Sequence, residues 1–244
     1  GRPMRLQHGS GAAWMLNDEG ARLASVAPST WLHRLDEELA DVWARGDAPD
    51  LGAVSRELAS RGVTGVTDAT PFADPSGFAV LAAARSGGEL RQRVVVTGGP
   101  ALATTTVPAA LDAGPVKIVV ADHDLSTPEH LAATIAAAHG AGRPVAVHCV
   151  SRVALVLALV AWEIATPRGG DRIEHGSVIP LELVDRLVDL GLQVVTQPAF
   201  VVARGDRYLA EVDADDVEHL YRCGSLLAAG VGVGMSTDAP FGPA

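Results

Sequence analysis

The chain has 244 residues, enough for one large domain or two small ones. Its residues are 48% apolar and 20% charged, an ordinary globular balance, and no apolar run reaches the roughly 18 residues that span a bilayer. The formal net charge of −10 argues against nonspecific nucleic-acid binding, which needs a basic surface.

In chain order, Trp31 to Trp43 and Leu51 to Ser60 read as helices separated by a Gly46–Pro49 linker. From Gly62 onward, short β-branched runs alternate with amphipathic stretches, the mark of βα units and a parallel sheet. Seven strands are predicted: Gly62 to Asp68, Arg93 to Thr97, Val116 to Val120, Val145 to His148, Arg172 to His175, Gln193 to Gln197 and Val231 to Asp238. Thr127-Pro128-Glu129 is a helix start, with a capping hydroxyl, proline in the first turn and an acid beside it. Further helices are expected over Val153 to Ala165, Leu181 to Leu190 and Asp215 to Ala229. Such units form either an open doubly wound sheet or most of a closed barrel. No G-x-G-x-x-G follows a first strand, which leaves the dinucleotide-binding version unsupported.

Cys149 and Cys223 stand far apart and outside any metal-knuckle spacing, so a reducing, cytoplasmic setting is expected. No signal peptide is visible. Gly1-Arg2-Pro3 does not look like a natural start, and the chain is expected to be an internal portion of a longer protein.

In parallel barrels, catalytic groups sit at the C-terminal ends of strands. Asp68, Lys117, His148, His175, Gln197 and Asp238 lie at or near such ends. His148 and His175 close neighbouring strands, where two neutral imidazoles can share a divalent ion at roughly 2.0–2.1 Å if it is zinc. Either alone would read as a hydrogen-bonded buried residue. Lys117 is the single lysine beside 18 arginines, set in the apolar run Val116-Lys117-Ile118-Val119. Burial favours its neutral amine. That amine can form a carbamate with carbon dioxide, which arginine cannot; a Schiff-base lysine and a snorkelling surface lysine are the alternatives. Asp238 is placed to bind metal and take a proton from a bound water, or else to shape an Asx-turn before Pro240. Lys117 to His148 spans 31 residues and His148 to His175 spans 27, each about one βα unit; His175 to Asp238 spans 63, about two.

These segments, in this order, resemble the amidohydrolase superfamily, in particular its third family of metal-dependent hydrolases. The carriers are Gly62 to Asp68, Val116-Lys117-Ile118, Val147-His148, Arg172-Ile173-Glu174-His175, Val194 to Pro198 and Ser236 to Pro240. The resemblance implies a distorted (β/α)8 TIM-like barrel, incomplete here, with strands 2–8. It implies a helical insertion over residues 1–60 and a single catalytic barrel domain over 61–244. It matches Lys117 to a carboxylated lysine, His148 and His175 to metal-binding histidines, and Asp238 to the aspartate after strand eight.

The family's first-strand His-x-His is absent, as are a final helix and the usual small β-sandwich. After His148 the family often continues Gly-Asp-Arg-Ala; here Cys149-Val150-Ser151-Arg152 keeps the arginine in place. His8, Asn17, Arg152 and Gln197 are the expected substrate contacts, with a polar loop entering a helix at Asn17 as the alternative for the early segment.

The implied activity is hydrolysis of a carbon–nitrogen, amide-type bond by metal-activated water, with one or two divalent ions, expected to be zinc, and Asp238 as general base then acid. A one-metal deaminase and a non-catalytic barrel that has lost its metals are the alternatives. The expected partner is a small amide-like molecule, with neither nucleic acid nor membrane; an oligomer is left open.

Overall fold

The computed structural model describes residues 2–7, 13–26, 32–33 and 50–244, apart from 72–73, 124, 240 and 243–244. The chain divides into two compact units, Gly1–Asp50 and Leu51–Ala244.

In the first unit, β1 (Arg5–Gln7), β2 (Ala13–Leu16) and β3 (Leu32–His33) form an antiparallel sheet in that order. Helix α1 (Asp18–Ala24) follows β2. Residues 32–33, expected to open a helix, instead pair with β2, because backbone groups of Ala13 and Trp14 offer them a ladder. The rest of that expected helix lies outside the described residues.

The second unit opens with α2 (Leu51–Ser60), as expected. It then carries seven strands: β4 (Gly65–Asp68), β5 (Arg93–Gly98), β6 (Asp112–Val119), β7 (Val145–Cys149), β8 (Arg172–His175), β9 (Gln193–Thr196) and β10 (Val233–Met235). All seven pair in parallel and in sequential order, the topology of an incomplete TIM-like barrel.

Side chains alternate across this sheet. Val94, Val96, Val116, Val145, Val147, Ile173 and Val194 are all at most 1% exposed and pack beneath the helices. Two helices supply much of the facing layer. In α4 (Pro128–Gly140), the Thr127 hydroxyl caps the His130 amide at 3.2 Å, and Leu131 and Ile135 face the core. In α5 (Arg152–Ala165), Ser151 caps the Ala154 amide, and Leu155, Leu159 and Trp162 are fully buried. The opposite set of side chains, which includes Lys117, Ala146, His148, Arg172 and Glu174, lines the concave face.

Four helical segments differ from the sequence reading. Helix α3 (Pro75–Ser86) is capped by Asp74, whose carboxylate accepts from the Ser76 amide. Leu181 to Leu190 divides into a 3-10 turn (Leu181–Leu183) and α6 (Val184–Asp189). A 13-residue α7 (Ala199–Glu211) follows β9, and the expected helix Asp215 to Ala229 is split into α8 (Ala214–Val217) and α9 (Cys223–Ala228). The split has a tertiary cause. The loop after β8 claims the intervening backbone: Val178 pairs with Leu220, the Ile179 amide donates to His219 O, and the Tyr221 amide donates to Ser177 O. Tyr221 takes a left-handed φ of 47° there, which ends any helix.

Candidate metal and active site

Lys117 sits on the concave face of β6, in register with Ala146. Its ammonium is half-buried and donates to Ala69 O at 2.7 Å, just past the end of β4. Burial lowers its pKa; the carboxylates of Glu174, Asp238 and Asp68 pull it back up, and Arg172 pushes it down. The aliphatic stem therefore runs toward the C-terminal mouth, and its charge is felt by acids from three different strand ends.

His148 lies two positions further along the same face of β7, opposite Glu174 of β8. Burial first, then the neighbouring His175 and Lys117, press its imidazole down to a pKa of about 3. It is thus neutral at pH 7, with a lone pair available. Among the described residues its ring has no hydrogen-bond partner.

His175 reaches the same place by a different route. Its register partner is Cys149, which is buried under the helices, so strict alternation would send His175 to that layer too. A φ of 71° at His175 turns its side chain over, and Gly176, at φ 53°, continues the turn. The two imidazoles then meet edge to face, with centroids 4.4 Å apart and planes at 75°. His175 Nδ1 lies 2.9 Å from Gln197 Oε1, leaving Nε2 free of that contact.

Asp238 follows β10 with a left-handed φ of 50°, and its carbonyl accepts from the Phe241 amide at 2.8 Å. Its half-buried carboxylate acts on Lys117 through its charge. Among the described residues, no group of three or more His, Cys, Asp and Glu side chains is arranged to hold a metal. The neutral His148 imidazole, the His175 ring beside it and the Lys117 nitrogen are groups of a kind that could hold a divalent cation.

The expected substrate contacts are distributed differently. Gln197 is 2% exposed, and its carboxamide is engaged by His175 on one side and by Ser236 Oγ, at 2.9 Å, on the other. Arg152 pairs with the Asp216 carboxylate and donates to Asp215 O, tying the start of α5 to α8. Asn17 caps α1: its Oδ1 accepts from the Gly20 and Met4 amides and its Nδ2 donates to Arg2 O. That is the helix-entry role, and it leaves the carboxamide committed within the first unit. His8 lies outside the described residues.

One group at the mouth, Glu174, was not singled out by the sequence, whereas Asp68 was among the strand-end residues. Glu174 is 8% exposed and holds Arg172 at 2.7 Å on the concave face. Its place next to His175 was the available signal. Asp68 closes β4 and accepts from the amide and hydroxyl of Thr70 at 3.1 and 2.6 Å.

The chain is similar to several known proteins. It is 28% identical over 117 residues to YtcJ of Bacillus subtilis (strain 168), which carries an amidohydrolase name; the match covers 47% of this chain and 22% of that protein. A crystal structure of an uncharacterized metal-dependent hydrolase from Pyrococcus furiosus matches all of this chain and 60% of its own, with a TM-score of 0.79 at 22% identity. The corresponding protein from Pyrococcus horikoshii OT3 matches all of this chain and 58% of its own, with a TM-score of 0.78 at 19% identity. Ochratoxinase of A. niger matches 79% of this chain with a TM-score of 0.56. The chain thus spans less than two thirds of these relatives, and at such identities the solved structures speak for the fold. With a family model matched over residues 33–244, the chain belongs to the amidohydrolase family.

Proposed function

We propose that this protein is a metal-dependent hydrolase that cleaves a carbon–nitrogen bond of the non-peptide amide type in a small molecule. The observation that carries the reading is the meeting of His148 and His175, 4.4 Å apart at the ends of adjacent parallel strands, with the charge of Lys117 acting on the same imidazole. Neutral imidazoles and a carboxylate are donors suited to zinc. A divalent cation bound there would supply a Lewis acid that brings the pKa of a water toward about 7 and polarises a carbonyl.

The chain's own groups would do the rest. Burial favours the free amine of Lys117, whose nitrogen would add to carbon dioxide and lose a proton to solvent, giving a carbamate. His148, His175 and that carbamate would hold the cation. Asp238, on the loop after β10, would take a proton from the attacking water and return it to the departing amine nitrogen as the carbon–nitrogen bond breaks.

The test is a metal inventory followed by turnover. Protein loaded with zinc in bicarbonate buffer and then dialysed is expected to retain at least one zinc per chain by elemental analysis. The double variant His148→Ala/His175→Ala and the variant Lys117→Arg should lose it. Retention should accompany hydrolysis of members of a panel of N-acyl amines. A folded wild type without stoichiometric metal refutes the proposal, and ammonia release from nucleobases instead of amide cleavage moves it to the deaminase alternative.

A further inference from the structure

We infer that Gln197 is a positioning residue: its carboxamide sets which nitrogen of His175 carries the proton and links that imidazole to the segment leading to Asp238. This deepens the hydrolase reading above and rests on it only for the identity of His175 as a metal ligand.

The geometry begins with a side chain that has nowhere else to go. Gln197 is 2% exposed and lies one residue past the end of β9, the strand between β8 and β10. Its Oε1 is 2.9 Å from His175 Nδ1, and its Nε2 is 2.9 Å from Ser236 Oγ. A carboxamide oxygen only accepts, so the first contact requires a proton on His175 Nδ1. In the second contact the amide nitrogen donates to the serine oxygen, which leaves Oε1 as the atom facing His175.

An imidazole protonated at Nδ1 presents its lone pair at Nε2. A free histidine side chain in water favours the opposite tautomer, with the proton on Nε2, so the brace works against the intrinsic preference. Partners of this kind are how a metal-ligating histidine is fixed in tautomer and ring orientation.

The backbone gives the brace a second task. His175 and Asp238 are non-glycine residues held at left-handed φ values of 71° and 50°. Such conformations persist where surrounding contacts over-determine them. Gln197 contacts the first directly and, through Ser236, the segment two residues before the second. One buried side chain thus joins the ends of β8, β9 and β10.

The tautomer can be read without metal or substrate. Wild-type protein with 15N-labelled histidine is kept metal-free, and the His175 ring signals are assigned by their loss in His175→Gln. Long-range 1H–15N correlation is expected to show a protonated Nδ1 and an unprotonated Nε2. Gln197→Leu should reverse that pattern and weaken zinc binding by about 10- to 100-fold, while Gln197→Glu, which still accepts at Nδ1, should restore the Nδ1–H form. If Gln197→Leu does not fold, Ser236→Ala serves in its place, because the freed amide should then give a mixture of tautomers. A wild-type His175 protonated on Nε2 means the amide is reversed and overturns the inference, as does an unchanged tautomer in both Gln197→Leu and Ser236→Ala. If the tautomers respond as expected but no form of the protein binds zinc, the brace stands and the hydrolase reading falls.

Discussion

Replacing Asp171 tests what holds β7 and β8 in the pairing that brings His148 and His175 together. Asp171 sits just before β8, at the end of the sheet opposite the candidate site, and is fully buried. Its carboxylate accepts from the Val145 amide at 2.9 Å, the Trp162 indole nitrogen at 2.9 Å and the Arg168 amide at 3.1 Å, and lies 2.9 Å from His139 Nε2. One side chain thereby joins the start of β7, helix α5, helix α4 and the turn before β8. Asp171→Ala leaves the Val145 and Trp162 N–H groups buried without acceptors, at about 1–3 kcal/mol each. The predicted loss from these two alone is about 4 kcal/mol. With a urea dependence of about 2 kcal/mol per M, the unfolding midpoint should fall by about 2 M. Asp171→Asn keeps one carbonyl oxygen but turns an NH2 group toward a donor, so it should lose roughly half as much. Urea titrations followed by Trp fluorescence and far-UV circular dichroism measure both. A shift below about 0.3 M for Asp171→Ala, at unchanged slope, would show that these hydrogen bonds contribute little and would refute the reasoning.

Asp238→Asn should leave zinc content unchanged and lower turnover by about 10²- to 10⁴-fold; equal rates in the two proteins would remove Asp238 from proton transfer. His148 is neutral in the metal-free fold, with its pKa pressed from 6.5 to about 3, so only the unfolded chain gains this proton as pH falls through 6.5. Its contribution is fully present above that pH and is lost, at up to about 1.4 kcal/mol per pH unit, down to about pH 3. Metal-free wild type should therefore lose more stability than His148→Gln between pH 7 and pH 4, and superimposable pH profiles would contradict the burial argument. Gly176→Ala places a Cβ 2.9 Å from Ile179 Cδ1 and 3.1 Å from Val194 Cγ1 at a φ of 53°. Left-handed strain of about 1–2 kcal/mol and overpacking of about 1–3 kcal/mol should combine, with partial relief in Gly176→Ala/Ile179→Val, as read by chemical denaturation.

Much of the fold could be read locally. The seven strands announce themselves as β-branched runs, and the structure shifts their ends by a few residues, as at β4, which begins at Gly65 instead of Gly62. Thr127-Pro128 and Ser151 mark helix starts because capping is a matter of adjacent atoms. Helix α7 was missed because the polar run Arg204-Gly205-Asp206-Arg207 interrupts its apolar pattern. The split between α8 and α9 was invisible because its cause, the Val178–Leu220 bridge, lies about 40 residues upstream.

The site divides along the same line. The sequence by itself determined which side chains stand at or near the strand ends, since a β-branched run and its end are marked by neighbouring residues; that Lys117 and His148 share one face came from the register of β6 on β7. Tertiary structure decided that His175 turns onto that face through a left-handed backbone, that Gln197 closes on His175 and Ser236, and that Arg152 is spent on Asp216. Those contacts join residues 22, 39 and 64 positions apart. They depend on strand register and loop packing, which bring distant segments within hydrogen-bond range only after the sheet has formed.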